Sequence, residues 1–222
     1  MNAPQPILMS IQVAQAALHS RTAPDGTQHV YQSGIDKIAV AGHVAAERTG
    51  LAGDAQADRK NHGGIDKAVL AYAAAHYPHW QRDLPQHDWR FGGFGENLTI
   101  DGLDESLVCL GDVYRIGDVL LEVSQPRQPC WKLCLRWEQP DLAKRVVATS
   151  RSGWYLRVKQ SGKIQAGLPV ELVERPLPEW TIERAARLMY GQIDDRSAVE
   201  ALSRLPQVSL AWREDLISRR LI

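Results

Sequence analysis

Gly111-Asp112-Val113-Tyr114-Arg115-Ile116-Gly117-Asp118-Val119-Leu120-Leu121-Glu122-Val123-Ser124 is the stretch that decides the fold. Its two apolar-rich runs, 113–116 and 119–124, are parted by Gly117-Asp118, small residues that tolerate the tight turn of an antiparallel hairpin. Upstream, residues 7–18 begin with apolar alternation, Gln28–Ser33 read as a polar-faced strand, and 68–72 form an apolar run of strand length. Downstream, 154–159, a turn at Ser161-Gly162-Lys163 and 170–173 predict a second hairpin. Many short strands broken by Gly and Asp predict a mainly β barrel or sandwich over residues 1–174. Only two short helices are expected inside it. One covers 74–84, with Tyr77, Trp80 and Leu84 on one side, and the other covers 141–148 behind Pro140.

Past residue 174 the pattern changes. Arg175-Pro176-Leu177-Pro178 reads as a stiff linker, because each proline fixes its own φ and disfavours helix in the residue before it. Helical spacing then covers 181–190, 195–205 and 207–220, with Thr181 and Asp195 as N-caps and Gly191 as a stop. A small three-helix domain over 175–222 is the expectation.

Lysine plus arginine and aspartate plus glutamate number 26 each, so the 222-residue chain carries no net formal charge. That balance argues against a protein that coats nucleic acid or anionic membrane. A hydrophobic fraction of 44% suits a globular core. No uncharged apolar run approaches the roughly 18–20 residues that would span a bilayer. The first residues lack the basic-then-apolar pattern of a secretory signal. Three cysteines, Cys109, Cys130 and Cys134, do not make a disulfide framework, and a reducing cytoplasm is expected.

Three segments could carry chemistry. Residues 53–67 are dense in polar groups and end in His62-Gly63-Gly64 ahead of an apolar strand. Paired glycines let backbone amides approach an oxyanion, and Arg59, Lys60 and Lys67 add positive charge, yet glycine pairs mark turns generally and the local sequence alone favours a plain solvated turn. His62 could serve as a ligand or proton donor. A zinc site wants partners at fixed intervals, and His76 and His79, three apart with no acid between them, do not supply them. In the second segment, Phe91-Gly92-Gly93-Phe94-Gly95-Glu96-Asn97, the glycines imply a sharply bent loop. It matches neither a P-loop nor a dinucleotide fingerprint, so a bulged corner and a binding role both stand.

The third segment, Ser124-Gln125-Pro126-Arg127-Gln128-Pro129-Cys130-Trp131-Lys132-Leu133-Cys134-Leu135-Arg136, places Cys130 on a proline-stiffened loop among cations. Cations favour thiolate, the form that attacks or binds soft metals, although a free cysteine also serves as a small apolar residue. Cys130 and Cys134 are one residue too far apart for a Cys-x-x-Cys redox pair, and three cysteines are too few for a four-ligand iron–sulfur cluster. Cys109 and Cys134 are therefore read as core residues.

Taken in order, GDAQADRKNHGGIDKAV, FGENLT, GDVYRIGDVLLEVSQPRQPCWKL and the helical tail resemble the MOSC family, and within it the bacterial YiiM-type proteins. The resemblance covers nearly the whole chain and implies a β-barrel with a three-helix C-terminal domain. It implies the molybdenum cofactor, a molybdopterin, with the thiolate of Cys130 as metal ligand. The implied reaction is reduction of N-hydroxylated compounds, hydroxylaminopurines among them. Onto that frame, charge and position put Arg59, Lys60, Arg127 and Lys132 at the cofactor phosphate, beside the amides of Gly63 and Gly64. They make His62 a proton donor and Asn97 an orienting group. No flavin, nicotinamide or iron–sulfur motif is visible, and no pyridoxal phosphate site is expected. Electrons would therefore come from a separate flavoprotein or flavodoxin-type reductase, delivered to a monomer or homodimer. Two other readings stay open: a cofactor carrier or sulfur-transfer module with a Cys130 persulfide, and a binding domain that holds some other phosphate.

Overall fold

A computed structural model describes residues 4–23, 26–57 and 63–222. The strands of the deciding stretch, β9 (Val113–Ile116) and β10 (Val119–Pro126), pair antiparallel as the sequence predicts. Along β10, Val119, Leu121 and Val123 are buried while Leu120 and Glu122 are more open, the alternation of a strand with one face on the core.

Six earlier strands precede the first of the two loops rich in glycine. They are β1 (Ile7–Val13), β2 (Ala17–Thr22), β3 (Gln28–Ser33), β4 (Ile38–Ala39), β5 (Val44–Glu47) and β6 (Gly50–Leu51). Next come a short 3-10 turn (Ile65–Lys67), β7 (Val69–Ala73), helix α1 (His76–Asp83) and β8 (Leu98–Asp101). After β10 follow α2 (Trp131–Arg136), α3 (Leu142–Thr149), β11 (Trp154–Gln160), β12 (Gly162–Ile164) and β13 (Glu171–Glu174). The tail holds α4 (Ile182–Met189), α5 (Arg196–Ser203) and α6 (Leu210–Arg220).

Eight strands form one sheet in the order β13-β9-β10-β11-β7-β8-β1-β4, antiparallel except for β7 and β8. The sheet curls into a half-barrel. Residues 167–170, leading into β13, reach back to the start of β1 through Leu8 N to Leu168 O at 3.0 Å and Val170 N to Pro6 O at 2.8 Å. β12, β5 and β6 make a second small sheet, and β2 with β3 a separate hairpin.

The second hairpin expected from the sequence does not form. β11 pairs with β10 and β7, whereas β13 pairs with β9 and β12 with β5. The apolar runs marked β11 and β13 correctly, but the turn expected at 161–163 runs into strand β12, and burial on the curled sheet chose the partners. The chain also adds a helix, α2, directly after Cys130, where a loop was expected.

All three tail helices are present. Thr181 and Asp195 cap α4 and α5 as predicted, accepting from Arg184 N at 3.1 Å and Ala198 N at 2.9 Å, and Gly191 sits at φ +68°. Ile182, Leu188, Leu202, Trp212 and Leu216 join the same apolar cluster as Leu110, Leu121 and Val123 of the barrel. A second cluster, rich in aromatic rings, packs α1 and α2 around Phe94, which stacks on Tyr72 at 4.5 Å and on Trp89 at 5.3 Å. No helix among the described residues is long and apolar enough to cross a membrane.

Candidate functional site

Four connecting segments meet at one end of the half-barrel: 33–37 after β3, 54–57 after β6, 94–97 before β8 and 127–132 after β10. Between them lies a cleft of about 660 Å³, counted with its open mouth. Close approach builds it. Gly34 has no room for a side chain, since a Cβ there would stand 2.5 Å from the carbonyl oxygen of Ala55.

Cys130 lines the cleft, half-buried, at the residue before α2. Arg127, three residues earlier, is nearly sealed from solvent. One Nη donates to Phe94 O at 3.2 Å, while the other, Nη1, is buried with no hydrogen-bond partner. A buried cationic donor left unmatched is costly, and it marks a place where an anion would be stabilised. Lys132 and Lys67 line the same space. Lys132 Nζ donates to Gln32 O at 3.1 Å and lies 5.7 Å from the ring of Tyr31, and Lys67 Nζ lies 6.0 Å from the ring of Tyr155. Tyr155 forms another part of the wall; burial pushes its phenol up to about 12, Arg127 pulls it down and Cys130 adds to the rise. The phenol is therefore protonated at neutral pH.

Asn97 reaches the cleft, but its amide is largely committed to protein. Oδ1 accepts from Leu70 N at 3.1 Å, and Nδ2 donates to Gln12 O at 3.2 Å and Asp54 Oδ2 at 2.9 Å. It pins β1, β7 and the loop after β6 together, and keeps one lone pair for a ligand. Gly63 and Gly64 do not line the cleft; Gly64, at φ +89°, starts the 3-10 turn and accepts from Lys67 N at 3.1 Å. Arg59, Lys60 and His62 lie outside the described residues.

Sequence reading missed Lys37. Its ammonium forms an ion pair with Asp54 in the cleft wall, and burial lowers its pKa while Asp54 raises it. Nothing in the local sequence Ile35-Asp36-Lys37-Ile38 sets this lysine apart from a surface one; only the fold takes it out of water. Arg136, counted among the cations around Cys130, is spent on structure. It donates to Ile35 O at 2.5 Å and Gly92 O at 2.7 Å and pairs with Asp36 at 3.0 Å. Among the described residues no three His, Cys, Asp or Glu gather as a metal cage.

Known proteins share this sequence pattern and fold. The MOSC domain profile matches residues 58–171. Protein YiiM of Escherichia coli strain K12 is 39% identical over 191 residues, 85% of each chain. A protein named "Reductase" from Gibberella moniliformis is 38% identical over 172 residues, which are 76% of this chain but only 30% of that one. The crystal structure of YiiM from Geobacillus stearothermophilus superposes with a TM-score of 0.80 at 36% identity, over 96% of this chain and 98% of that one. The half-barrel with its cysteine-bearing cleft and helical tail is thus that of a MOSC-family protein, and the chain belongs to that family in its YiiM-like branch.

Proposed function

We propose that the protein is a molybdenum-cofactor-dependent reductase of N-hydroxylated compounds, of the hydroxylaminopurine type, with Cys130 as the protein's ligand to the metal. The observation that carries this reading is that Cys130 lines the same cleft as Arg127, whose Nη1 is buried with no hydrogen-bond partner. A thiolate suits a soft metal, and a buried guanidinium suits a phosphate. Since the described residues offer no protein cage of three ligands, a metal held by Cys130 would take its other ligands from the cofactor, and a pterin dithiolene does provide them. The residues therefore fit the group.

When bound, the cofactor supplies a two-electron redox centre. The chain's own part is to hold and orient. Arg127, Lys132 and Lys67 would neutralise the pterin phosphate, together with Arg59 and Lys60. Asn97 fixes the cleft wall and offers its remaining lone pair. His62 is assigned one of the reaction's protons. The similarity to a longer protein named "Reductase" supports the redox class. Electrons would reach this chain from a separate flavoprotein or flavodoxin-type reductase, in the cytoplasm, with no nucleic acid or membrane involved.

Protein produced in a cofactor-competent host should hold about one molybdenum per chain by metal analysis, and should convert 6-hydroxylaminopurine when supplied with a reduced flavoprotein. Cys130→Ser is expected to lose both the metal and the activity. A metal-loaded, active variant would sink the assignment. A labile sulfane adduct on Cys130 by mass spectrometry, without turnover, would favour the sulfur-carrier reading instead.

A further inference from the structure

Reduction of an N–OH group consumes two protons as well as two electrons: R–NH–OH + 2 e⁻ + 2 H⁺ gives R–NH₂ and H₂O. The electrons come from the reduced flavoprotein. One proton has been assigned to His62, and the described cleft wall offers a source for the other.

We propose that Lys37 is a second catalytic acid, passing a proton from Nζ to the substrate oxygen as the N–O bond breaks, so that the oxygen leaves as water. The role rests on the reductase reading. Its basis is where the lysine stands. Lys37 lines the same cleft as Cys130 and Asn97, with its side chain only 7% exposed. Its ammonium is anchored on Asp54 Oδ1. That carboxylate is itself fixed from two sides, by Ala14 N at 2.9 Å and by Asn97 Nδ2 at 2.9 Å. An ammonium carries three N–H bonds, and Asp54 is the hydrogen-bond partner of Lys37, so further N–H bonds remain for a ligand in the cleft.

The other cations serve this purpose less well. Arg127 cannot give up a proton near neutral pH, and Lys132 is bound to the Gln32 carbonyl at the exposed rim. Burial pulls Lys37 below the ordinary lysine value; Asp54 and then Glu96 act against that pull, and Arg136 adds to it. Among the described residues, Lys67, Lys132, Arg127, Tyr155 and Cys130 make up the rest of the charged and titratable lining of the cleft. A desolvated lysine is the better acid, and after donation the amine regains a proton from solvent through the open mouth.

Lys37→Arg and Lys37→Met test the role in cofactor-loaded protein with 6-hydroxylaminopurine and a reduced flavoprotein. Arginine keeps the charge and the bond to Asp54 but holds its proton. Both variants should therefore lose about 100-fold in kcat, with molybdenum content and KM within a few-fold of wild type. Wild-type kcat should fall as pH rises through the lysine's pKa, and the variants should lack that limb. A second measurement needs no cofactor: trace acetylation of the apo protein against pH should give Lys37 a lower midpoint than the free lysine derivative Nα-acetyl-lysine amide measured alongside it. Wild-type protein that is loaded yet reduces nothing overturns the reductase reading, and this role with it. An active wild type with Lys37→Arg at near-normal kcat and an unchanged pH profile overturns the role of Lys37 alone. Should either variant fail to load molybdenum, a Lys37 midpoint equal to that of the free derivative overturns it.

Discussion

Glu96 shows how a single buried carboxylate shapes one wall of the cleft. Fully inaccessible, it accepts from Gly92 N at 2.6 Å, Phe94 N at 3.0 Å, Thr99 Oγ1 at 3.0 Å and the Tyr77 hydroxyl. These donors hold the bent glycine loop closed and set Phe94, whose carbonyl in turn receives Arg127. Glu96→Gln would turn an amide N–H toward one of those backbone donors. The expected loss is about 1–3 kcal/mol of stability, read from urea unfolding. An unchanged midpoint would show that the loop closes without the carboxylate. Sequence reading found this residue only as the end of a glycine-rich run. It saw cations around Cys130 but could not separate Arg136, which binds backbone carbonyls, from Arg127, which keeps a donor unmatched. That distinction is set by contacts between residues far apart in the chain, which no local pattern encodes.

At the level of elements, most of the strands and five of the six helices among the described residues could be read from periodicity and capping residues, since those signals are local. Strand partners could not. The run 170–173 looks like the return of a hairpin from β11, yet β13 lies against β9 because the sheet has curled to bring them together. Helix α2 escaped notice because it is only six residues long and follows two prolines. Elements meet tightly at Gly34, where a Cβ would collide with the Ala55 carbonyl. Gly34→Ala should push the segment after β3 away from the loop after β6, costing about 1–3 kcal/mol. Thermal melts should show the loss, and metal analysis should show weaker molybdenum retention; a normal melt with full retention would contradict the packing. Helix α5 makes a pH-dependent test. The amide of Ala198, then the hydroxyl of Ser197, holds the Asp195 carboxyl below its ordinary value. Its contribution is present above the unfolded-state value and disappears as pH falls through the lower folded-state one. Acidification below about pH 4 should therefore weaken α5, and Asp195→Asn should flatten that dependence in stability measured against pH.

For the molecule as a whole, the tail and the barrel share one apolar cluster, in which Trp212 and Leu216 stand with Leu121 and Val123. We propose that residues 175–222 act as a structural partner of the barrel over 1–174 rather than as an independent unit. Arg175 supports this, fastening the junction through Asp112 at 2.7 Å and Leu107 O at 2.8 Å. A chain ending at residue 174 should expose the barrel side of that cluster, bind a hydrophobic dye and lose its near-UV circular dichroism. A truncated barrel with a sharp, cooperative melt would overturn the proposal.

Two hydrogen bonds tie the strand and loop leading to Cys130 to the start and middle of the last helix: Ser209 Oγ to Gln125 Oε1 at 2.5 Å, and Gln128 Nε2 to Asp215 Oδ2 at 2.6 Å. Any ligand that steadies the loop is thereby coupled to the order of the chain's final turns, and the coupling is reciprocal. Occupancy at the sulfur should slow amide exchange around residue 215, and loosening that distant helix should shorten the time a guest resides beside the cysteine.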